Sequence, residues 1–430
     1  MTHAPLKVGI AGLGTVGTGT VKLLQANAEL LAVRCGRDIV VAAVADPDRR
    51  ERGFATVPQA WYDDALQMVS DADLDLVVEL IGGADGIGRA VVEQAIAAGR
   101  HVVTANKALI AHHGTTLATA AEAAGVVLAC EAAVAGGIPI VKTLREGLVG
   151  NRRTRVYGIL NGTCNYILTA MRDTGREFET VLAEAQALGY AEADPSFDVD
   201  GVDAAHKLAI LAGLAFGCAV DFEAVHVEGI RHITAMDIAF ADELGYRIKL
   251  LGIAGLSERG VERRVHPCMV AASAPIATVE GVFNAVVADG DFVDTIMQEG
   301  RGAGERPTAS AVVADIADIA RGHRIPTFGV PASRLAALPA VPMGRHRGPY
   351  YVRLMVVDQP GVFADVAAIL RDHEVSMESV LQRSRSPGEA VPVVMTTHDT
   401  EEAAMVACLQ AIGRLEASVE PPRMIRIEPL

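Results

Sequence analysis

The sequence predicts an α/β protein built from three consecutive units. Short apolar strands alternate with helices from residue 6 to residue 130, a pattern typical of a doubly wound parallel sheet. The alternation breaks down near residue 139, where an α+β unit is expected over the carboxyl edge of the sheet, the edge at which a substrate would bind. After a proline-rich stretch the order becomes βαββαβ, the ferredoxin-like arrangement. We therefore expect domains at 1–138 (completed by a helix at 307–321), 139–306 and 350–430, with a linker at 323–349.

The composition limits the class of protein. Of the 430 residues, 50% are hydrophobic but only 4% are aromatic, so the core must consist of small and branched aliphatic side chains, as in parallel sheets. A formal net charge of -15 without a basic stripe argues against nucleic-acid binding. No apolar run approaches the roughly 18 residues of a membrane span. Scattered cysteines and the lack of a signal-peptide pattern predict a cytoplasmic protein with reduced thiols.

The first predicted strand, Leu6–Ala11, runs into a glycine-rich turn and then a helix through Leu31. The turn has the spacing Gly-x-Gly-x-x-Gly, formed by Gly12, Gly14 and Gly17. Strand, glycine turn and helix are the context of the Rossmann-like dinucleotide fingerprint, in which a pyrophosphate rests on the helix N-terminus. The alternative is a tight turn without a ligand. The motif predicts a binding site for NAD or NADP.

The residues after the second strand leave the choice of cofactor open. The strand Ile39–Ala45 ends at Asp46, where an acid would accept a hydrogen bond from the ribose 2′-hydroxyl of NAD. Arg49 and Arg50 follow, and a pair of arginines there could hold the 2′-phosphate of NADP. We expect either cofactor to be accepted, with NADP somewhat favoured.

Two later strands of the predicted sheet end in polar residues. Lys107 follows the strand His101–Thr104, and Glu131 follows the strand Val126–Cys130. Ligands of such sheets bind at the carboxyl ends of the strands, so a ligand role is expected for Lys107. The alternative for Lys107 is a solvated loop lysine.

An acidic run at 189–203 leads into a helix that is apolar on nearly every side. Asp203 and Lys207 are four residues apart and share a face of that helix. Because a buried lysine needs a partner, this pair is a candidate site, although a surface pair would contribute only about 0.3–0.5 kcal/mol. A calcium loop beginning at Ser196 is excluded, since its twelfth position is Lys207 instead of a bidentate glutamate.

Taken in order along the chain, these motifs resemble the homoserine dehydrogenases. The resemblance covers the whole chain and rests on Gly12–Gly17, Thr104–Leu109, Glu131–Gly136, Asn161–Thr163, Gly189–Lys207 and Gly300–Ser310. The segment Val357–Phe363 is similar to the start of an ACT domain, a module that commonly binds amino acids.

The resemblance implies a reversible reduction of L-aspartate 4-semialdehyde to L-homoserine with NAD or NADP, in threonine, methionine and isoleucine biosynthesis. It implies that Lys207 is the general acid/base and that Glu192 and Asp203 bind the amino acid. By the same matching, the cofactor site also contains Thr15, Val16, Lys107, Gly189 and Gly304. A sodium ion is expected near Glu131, Val134, Gly136 and Ile138. Threonine is the expected effector, and a homodimer or homotetramer the expected assembly.

Several alternatives remain at this level. Lys107 competes with Lys207 for the role of proton donor. The chain could act on another amino-acid-like aldehyde, or could be a non-catalytic amino-acid sensor. Two residues depart from the family pattern, Cys164 and His206, and His206 either faces away from the site or tunes it.

Overall fold

The computed structural model describes residues 4–56, 58, 60–383 and 386–430. The strands of the first unit are β1 (Leu6–Ala11), β2 (Ile39–Ala45), β3 (Ala60–Tyr62), β4 (Leu76–Glu79), β5 (His101–Thr104) and β6 (Leu128–Ala129). Its helices are α1 (Thr15–Ala26), α2 (Ala28–Cys35), α3 (Ala65–Asp71), α4 (Ile87–Ala97) and α5 (Lys107–Ala123). The sheet is parallel, in the order β3-β2-β1-β4-β5-β6. This is the strand order of dinucleotide-binding folds, so the predicted fold class is confirmed.

The second unit contains an antiparallel sheet covered by helices. Its helices are α6 (Ile140–Lys142), which continues as a π-helical turn over Thr143–Gly147, α7 (Gly162–Thr174), α8 (Phe178–Ala187), α9 (Ser196–Val199), α10 (Val202–Phe216) and α11 (Ala235–Glu243). Its strands are β7 (Arg153–Ile159), β8 (His226–Val227), β9 (Tyr246–Ser257), β10 (Gly260–Ala271), β11 (Phe283–Gly290) and β12 (Asp294–Arg301). Helix α12 (Glu305–Ala320) then returns to the first unit and packs against α1.

Helix α10 is enclosed by the rest of the fold. All residues from Asp203 to Ala215 are buried, because the helix lies between β7, β9 and β10 on one side and α5 of the first unit on the other. A helix that is apolar all round needs such a position. The packing therefore brings the predicted Asp203–Lys207 face to the boundary between the two units.

The third unit joins the sheet of the second. Its elements are β13 (Arg347–Gly348), β14 (Tyr350–Val357), α13 (Val362–Asp372), β15 (Met377–Leu381), β16 (Ala390–Thr397), β17 (Thr400–Glu401), α14 (Glu402–Ile412) and β18 (Arg423–Glu428). Strand β18 pairs with β10 in parallel, with Arg426 opposite Cys268. A continuous sheet results, in the order β12-β11-β7-β9-β10-β18-β14-β16-β15. The pairing satisfies the backbone groups at the edge of β10. It also joins the second and third units in one sheet, whereas the sequence predicted only a linker between them.

Several predicted elements differ in extent. The helix expected through Leu31 is divided, because Asn27 leaves helical geometry and separates α1 from α2. Strand β8 has only two residues, and a 3-10 turn at Pro275–Thr278 and a loop precede β11. Helix α12 begins at Glu305 instead of Pro307, since a proline is tolerated within a first turn, where its missing N–H is not needed. Within the described ranges, no helix is both long and apolar enough to span a membrane.

Candidate active site

A cleft of about 420 Å³ opens between the first two units. Its walls come from the start of α5, the loop after β7, the acidic run and the loop before α12. The side chains and backbone that line it include Lys107, Asn161, Thr163, Gly189, Glu192, Asp198, Asp203, Lys207, Asn284 and Gly304. Residues from five separate stretches of sequence, the fifth being Asn284 of β11, therefore meet at one site.

Lys207 is almost completely enclosed at this cleft, with a side chain that is 9% exposed. Its Nζ donates hydrogen bonds to Asp203 Oδ2 and to the carbonyl oxygen of Leu160, both at 2.7 Å. Burial lowers the pKa of Lys207, and the charge of Asp203 opposes that change. An ammonium group whose pKa lies below the ordinary value of a lysine releases its proton more readily, which suits an acid/base role.

Asp203 is the centre of the cluster. Lys207 contacts one of its oxygens and Lys107 contacts the other, while Asn161 Nδ2 donates to Oδ2 at 2.8 Å. Burial alone would raise the pKa of Asp203, but the two lysines outweigh it and hold the pKa below its usual range. The carboxylate is therefore ionised and carries two cations from different units of the fold.

Lys107 approaches Asp203 from the first unit. It is the first residue of α5, whose N-cap Asn106 accepts a hydrogen bond from the amide of Leu109 at 3.0 Å. Its Nζ also lies 5.4 Å from the ring centroid of Phe197. The structure thus brings Lys107 and Lys207 to the same carboxylate, and Lys107 stays a competing proton donor by position.

Asp198 also lies in this cluster, although the sequence provided no role for it. Asn161 Nδ2 donates to Asp198 Oδ1 at 2.7 Å as well as to Asp203, so one amide bridges two carboxylates. Thr163 Oγ1 contacts Asp198 Oδ2 at 3.3 Å. Burial and the nearby Asp203 raise the pKa of Asp198. The available signal was the coincidence of an acidic run with the motif Asn161–Thr163, but nothing local shows that the two meet.

The other carboxylates of the acidic run face elsewhere. Asp200 pairs with Arg231, with Nε and Oδ1 2.5 Å apart, and Asp194 accepts from the amide of Ser196 at 3.1 Å. Both hold the loop in shape. Glu192 instead borders the cleft, exposed, and its carboxylate makes no hydrogen bond or ion pair within the described part of the chain. Gly189 lines the cleft nearby with a φ of +75°.

The glycine turn has one open position and two that are closely packed. A Cβ at Gly12 would lie 2.8 Å from the carbonyl oxygen of Leu80, and one at Gly17 would lie 2.0 Å from that of Gly12. At Gly14 nothing lies within 4 Å of a Cβ. Gly14 thus leaves room for a ligand above the turn, and Thr15 and Val16 begin α1, where free amide groups favour a phosphate. These residues fit a dinucleotide.

The residues expected to choose the cofactor are partly engaged. Asp46 accepts hydrogen bonds from the amides of Leu13 at 2.7 Å and Asp48 at 2.8 Å. Arg49 pairs with Asp63 and Arg50 with Asp48, and both arginines are exposed. Sequence reasoning missed Arg52, whose side chain is 4% exposed and contacts Asp46 at 3.4 Å. No local pattern distinguishes Arg52 from its neighbours.

The segment expected to hold sodium contains carbonyl groups that suit a cation. Val134 and Gly136 are buried, and no hydrogen bond recorded among the described residues ends on their carbonyl oxygens. Buried carbonyls without a donor are uncommon, and a monovalent cation would satisfy them. The carbonyl of Ile138 accepts from Ile140 at 2.7 Å, and the Glu131 carboxylate accepts from the amides of Val141 and Lys142. Burial and Asp315 raise the pKa of Glu131 to about 7.

The two departures from the family pattern have structural positions. The amide of Cys164 donates to Asn161 Oδ1 at 2.8 Å, which caps α7. His206 packs against α5 and the ring of Phe222, and its Nε2 lies 3.3 Å from that of His112. His206 therefore faces the contact between the units and does not line the cleft.

Known protein families match each of the three units of the chain. The family described as "Homoserine dehydrogenase" matches residues 139–317, and "Homoserine dehydrogenase, NAD binding domain" matches residues 12–131. The family described as "ACT domain" matches residues 350–414. Together these matches cover more than half of the chain and include the glycine turn and the acidic run.

Individual relatives extend this similarity to full length. The homoserine dehydrogenase of Pseudomonas aeruginosa is 46% identical over 99% of both chains. The crystal structure of a homoserine dehydrogenase from Thiobacillus denitrificans is 46% identical and covers 100% of this chain and 99% of its own, with a TM-score of 0.94. A homoserine dehydrogenase structure from S. aureus is 30% identical, covers 99% of this chain and 100% of its own, and has a TM-score of 0.79.

Proposed function

The chain belongs to the homoserine dehydrogenase family, and from this premise we propose that the cleft around Lys207 is its active site. The protein is an NAD(P)-dependent oxidoreductase that interconverts L-aspartate 4-semialdehyde and L-homoserine. One observation carries the assignment of the site: a buried lysine ammonium, hydrogen-bonded to an ionised carboxylate, lines a cleft of about 420 Å³.

In the proposed mechanism, Lys207 handles the proton of the reaction. A nicotinamide cofactor, when bound, supplies the hydride that reduces the aldehyde. The developing alkoxide of the substrate then needs a cation and a proton, and the Lys207 ammonium supplies both. In the oxidation direction, neutral Lys207 accepts the hydroxyl proton, which its lowered pKa permits without a strong base. Asp203 keeps Lys207 oriented in both directions.

We assign the amino-acid end of the substrate to Glu192 and Asp203. The Glu192 carboxylate faces the cleft and is available for the substrate ammonium. Asp203 is held by both lysines, so direct contact with substrate requires Lys107 to move away from it. Lys107 would then be free to meet the substrate or cofactor. This exchange of partners keeps each buried charge compensated, as the energetics of buried ions require.

The cofactor is proposed to extend from the glycine turn to the cleft. Gly12, Gly14, Thr15, Val16 and Gly17 form the pyrophosphate end, and Lys107, Gly189 and Gly304 line the nicotinamide end. Either NAD or NADP is proposed, with NADP favoured. A sodium ion is proposed at Glu131, Val134, Gly136 and Ile138, on the two buried carbonyls without donors, where it would stabilise the loop next to Gly302.

We further propose that threonine binds the ACT domain and lowers activity. A small cavity of about 60 Å³ lies between β14 and α13 and is bordered by Val356, Asp358, Gln359 and Phe363. Removing the domain is a poor test, because deletion of β18 would expose the edge of β10. The substitution Asp358→Ala is sharper: it should abolish inhibition by threonine while activity without threonine is kept. Valine serves as a ligand of similar shape without a hydroxyl.

The decisive assay follows NADPH and NADH oxidation with L-aspartate 4-semialdehyde, with and without threonine. Ligand binding without hydride transfer would favour the amino-acid sensor. Values of kcat/KM for L-homoserine and other amino alcohols separate the proposed substrate from another amino-acid-like aldehyde. Replacing sodium with a bulky organic cation should lower activity if the sodium proposal holds. Domain boundaries at 138, 306 and 350, a homodimer or homotetramer and a cytoplasmic location complete the proposal.

A further inference from the structure

The third unit touches the second through a buried arginine. Arg426 lies on β18, with a side chain that is 2% exposed. Its guanidinium is held between two carboxylates, Glu402 at the start of α14 and Glu228 just after β8. The first carboxylate belongs to the third unit and the second to the unit that carries Lys207.

The contact between Arg426 and Glu228 is bidentate. Nη1 donates to Glu228 Oε2 at 2.9 Å and Nη2 donates to Glu228 Oε1 at 2.8 Å, while Nε donates to Glu402 Oε2 at 3.0 Å. Such paired bonds fix direction as well as distance. The Glu228 side chain is therefore held from the third unit by Arg426 of β18 and from its own unit by His226 of β8, whose Nε2 lies 2.7 Å from Oε1.

Glu228 begins a short segment, residues 228–231, that supports the acidic run from below. The backbone of Gly229 approaches so closely that a Cβ there would lie 2.2 Å from the carbonyl oxygen of Val199. The amide of Ile230 donates to that same carbonyl at 2.9 Å. Arg231 pairs with Asp200. The three residues after Glu228 thus contact Val199 and Asp200, next to Asp198 of α9.

The turn before α10 contacts Val227 and Glu228. Gly201 has a φ of +87°, and a Cβ there would lie 3.1 Å from Val227 Cγ1 and 3.3 Å from the carbonyl oxygen of Glu228. Asp203 follows two residues later in the first turn of α10. Direct contacts therefore join the backbone of Glu228 to the backbone beside Asp198 and Asp203.

We propose that Arg426 is a positioning residue for the active site: by clamping Glu228, it sets the segment 228–231 and so the Asp198–Asp203 loop. The inference rests on the proposed assignment of Asp203 and Lys207 to the active site. A kinetic readout separates this positioning role from a purely structural contact.

The test compares two buried arginines of the third unit. Arg426→Gln removes the cation that Glu228 and Glu402 share, and leaves Glu228 with His226 and Glu402 with Tyr350. We expect KM for L-homoserine to rise about tenfold, because small misplacements of binding groups are costly. The dissociation constant for NADPH should not change, since the glycine turn lies in the other sheet. Arg426→Lys should recover part of the loss.

Arg353→Gln is the matched control. Arg353 is 4% exposed, and its Nε donates to Asp237 Oδ1 of α11 at 2.7 Å, so it too joins the third unit to the second through a buried ion pair. Its loss should lower the melting temperature but leave KM for L-homoserine near the wild-type value. Glu228→Gln should reproduce the KM increase, and the double variant Glu228→Gln with Arg426→Gln should be less than additive.

One result would overturn the inference: Arg426→Gln and Glu228→Gln lower the melting temperature as Arg353→Gln does, with KM unchanged in all three. If Arg426→Gln does not fold, Arg426→Lys and Glu228→Gln decide the question by the same readout. Full turnover in a Lys207→Ala variant would instead contradict the proposed active site, whatever the arginine variants show. The two failures are therefore distinguishable.

Discussion

Two lysines of the second unit are buried, and they have different surroundings. Lys207 Nζ binds the carboxylate of Asp203 and the carbonyl of Leu160, at the edge of the large cleft. Lys249 Nζ, on β9, binds the carbonyl of Val279 at 2.5 Å and Asn165 Oδ1 at 3.2 Å, and borders a cavity of only about 10 Å³. Burial lowers the pKa of both, that of Lys249 to about 8.

The comparison of Lys207 with Lys249 shows that burial and a lowered pKa do not by themselves identify a catalytic lysine. What distinguishes Lys207 is an ionised partner and room for a reactant. Lys249 has neutral partners, so its ammonium holds β9 against α7 and the turn at Val279 without access to a substrate. Four substitutions test this distinction between the two buried lysines.

The largest effect is expected for Lys207→Ala. Loss of the proton donor should lower kcat by about a thousandfold or more, as for other general acids. The dissociation constant for NADPH, measured by fluorescence titration, should stay near wild type because the glycine turn belongs to the first unit and Lys207 to the second. Lys249→Met is the control, and its kcat should change little. Substantial turnover in Lys207→Ala would transfer the role to Lys107.

Asp203→Asn should have the next largest effect. It removes the carboxylate that Lys107 and Lys207 both contact, which destabilises the fold by about 3 kcal/mol. Since the charge of Asp203 opposes the lowering of the Lys207 pKa, that pKa should fall further. The limb of the pH–rate profile that reports Lys207 should then move to lower pH, with kcat/KM reduced about a hundredfold. Asp73→Asn, which breaks an exposed pair with Lys7, should leave the profile unchanged.

Lys249→Met should affect stability instead of catalysis. Because the pKa falls from 10.5 to about 8 on folding, the favourable contribution of Lys249 is present above pH 10.5 and is lost as the pH falls through 8. At pH 7 the variant should therefore have a higher free energy of unfolding than wild type. The upper limit of the gain is about 3 kcal/mol, from which the contribution of the two lost hydrogen bonds is subtracted. Urea unfolding at pH 7 and pH 10 measures this. An equal difference at both pH values would contradict it.

The smallest effect is expected for His206→Gln on α10. Burial, with a smaller contribution from His112, lowers the pKa of His206 from 6.5 to about 4. Its contribution to stability is therefore present above pH 6.5 and is lost as the pH falls through 4. Between pH 6.5 and pH 4 the free energy of unfolding should decrease by up to about 3 kcal/mol less in the variant than in wild type. At neutral pH kcat should stay within about threefold of the wild-type value, because His206 does not line the cleft. A stability profile identical to wild type would show that His206 is not buried as a neutral group.

Much of the site was readable from local patterns. The turn Gly12–Gly17 follows an apolar strand, and the pair Asp203–Lys207 lies one helical turn apart on an apolar helix. Both patterns depend on residues within a few positions of each other, so they can be recognised without tertiary information. Asn161 and Asp198 were not paired in advance, because they are 37 residues apart and only the packing of α7 against the acidic run joins them.

The sequence by itself determined the elements and their chemistry: the parallel sheet with its glycine turn, the buried helix with its lysine, and the βαββαβ order at the C-terminus. These follow from apolar periodicity and from glycine spacing, which act locally. Only the tertiary structure decided that β18 would pair with β10, that Arg426 would clamp Glu228, and that Lys107 and Lys207 would share Asp203. Each of these contacts joins residues remote in the chain, and their geometry is set by how the sheets and helices pack.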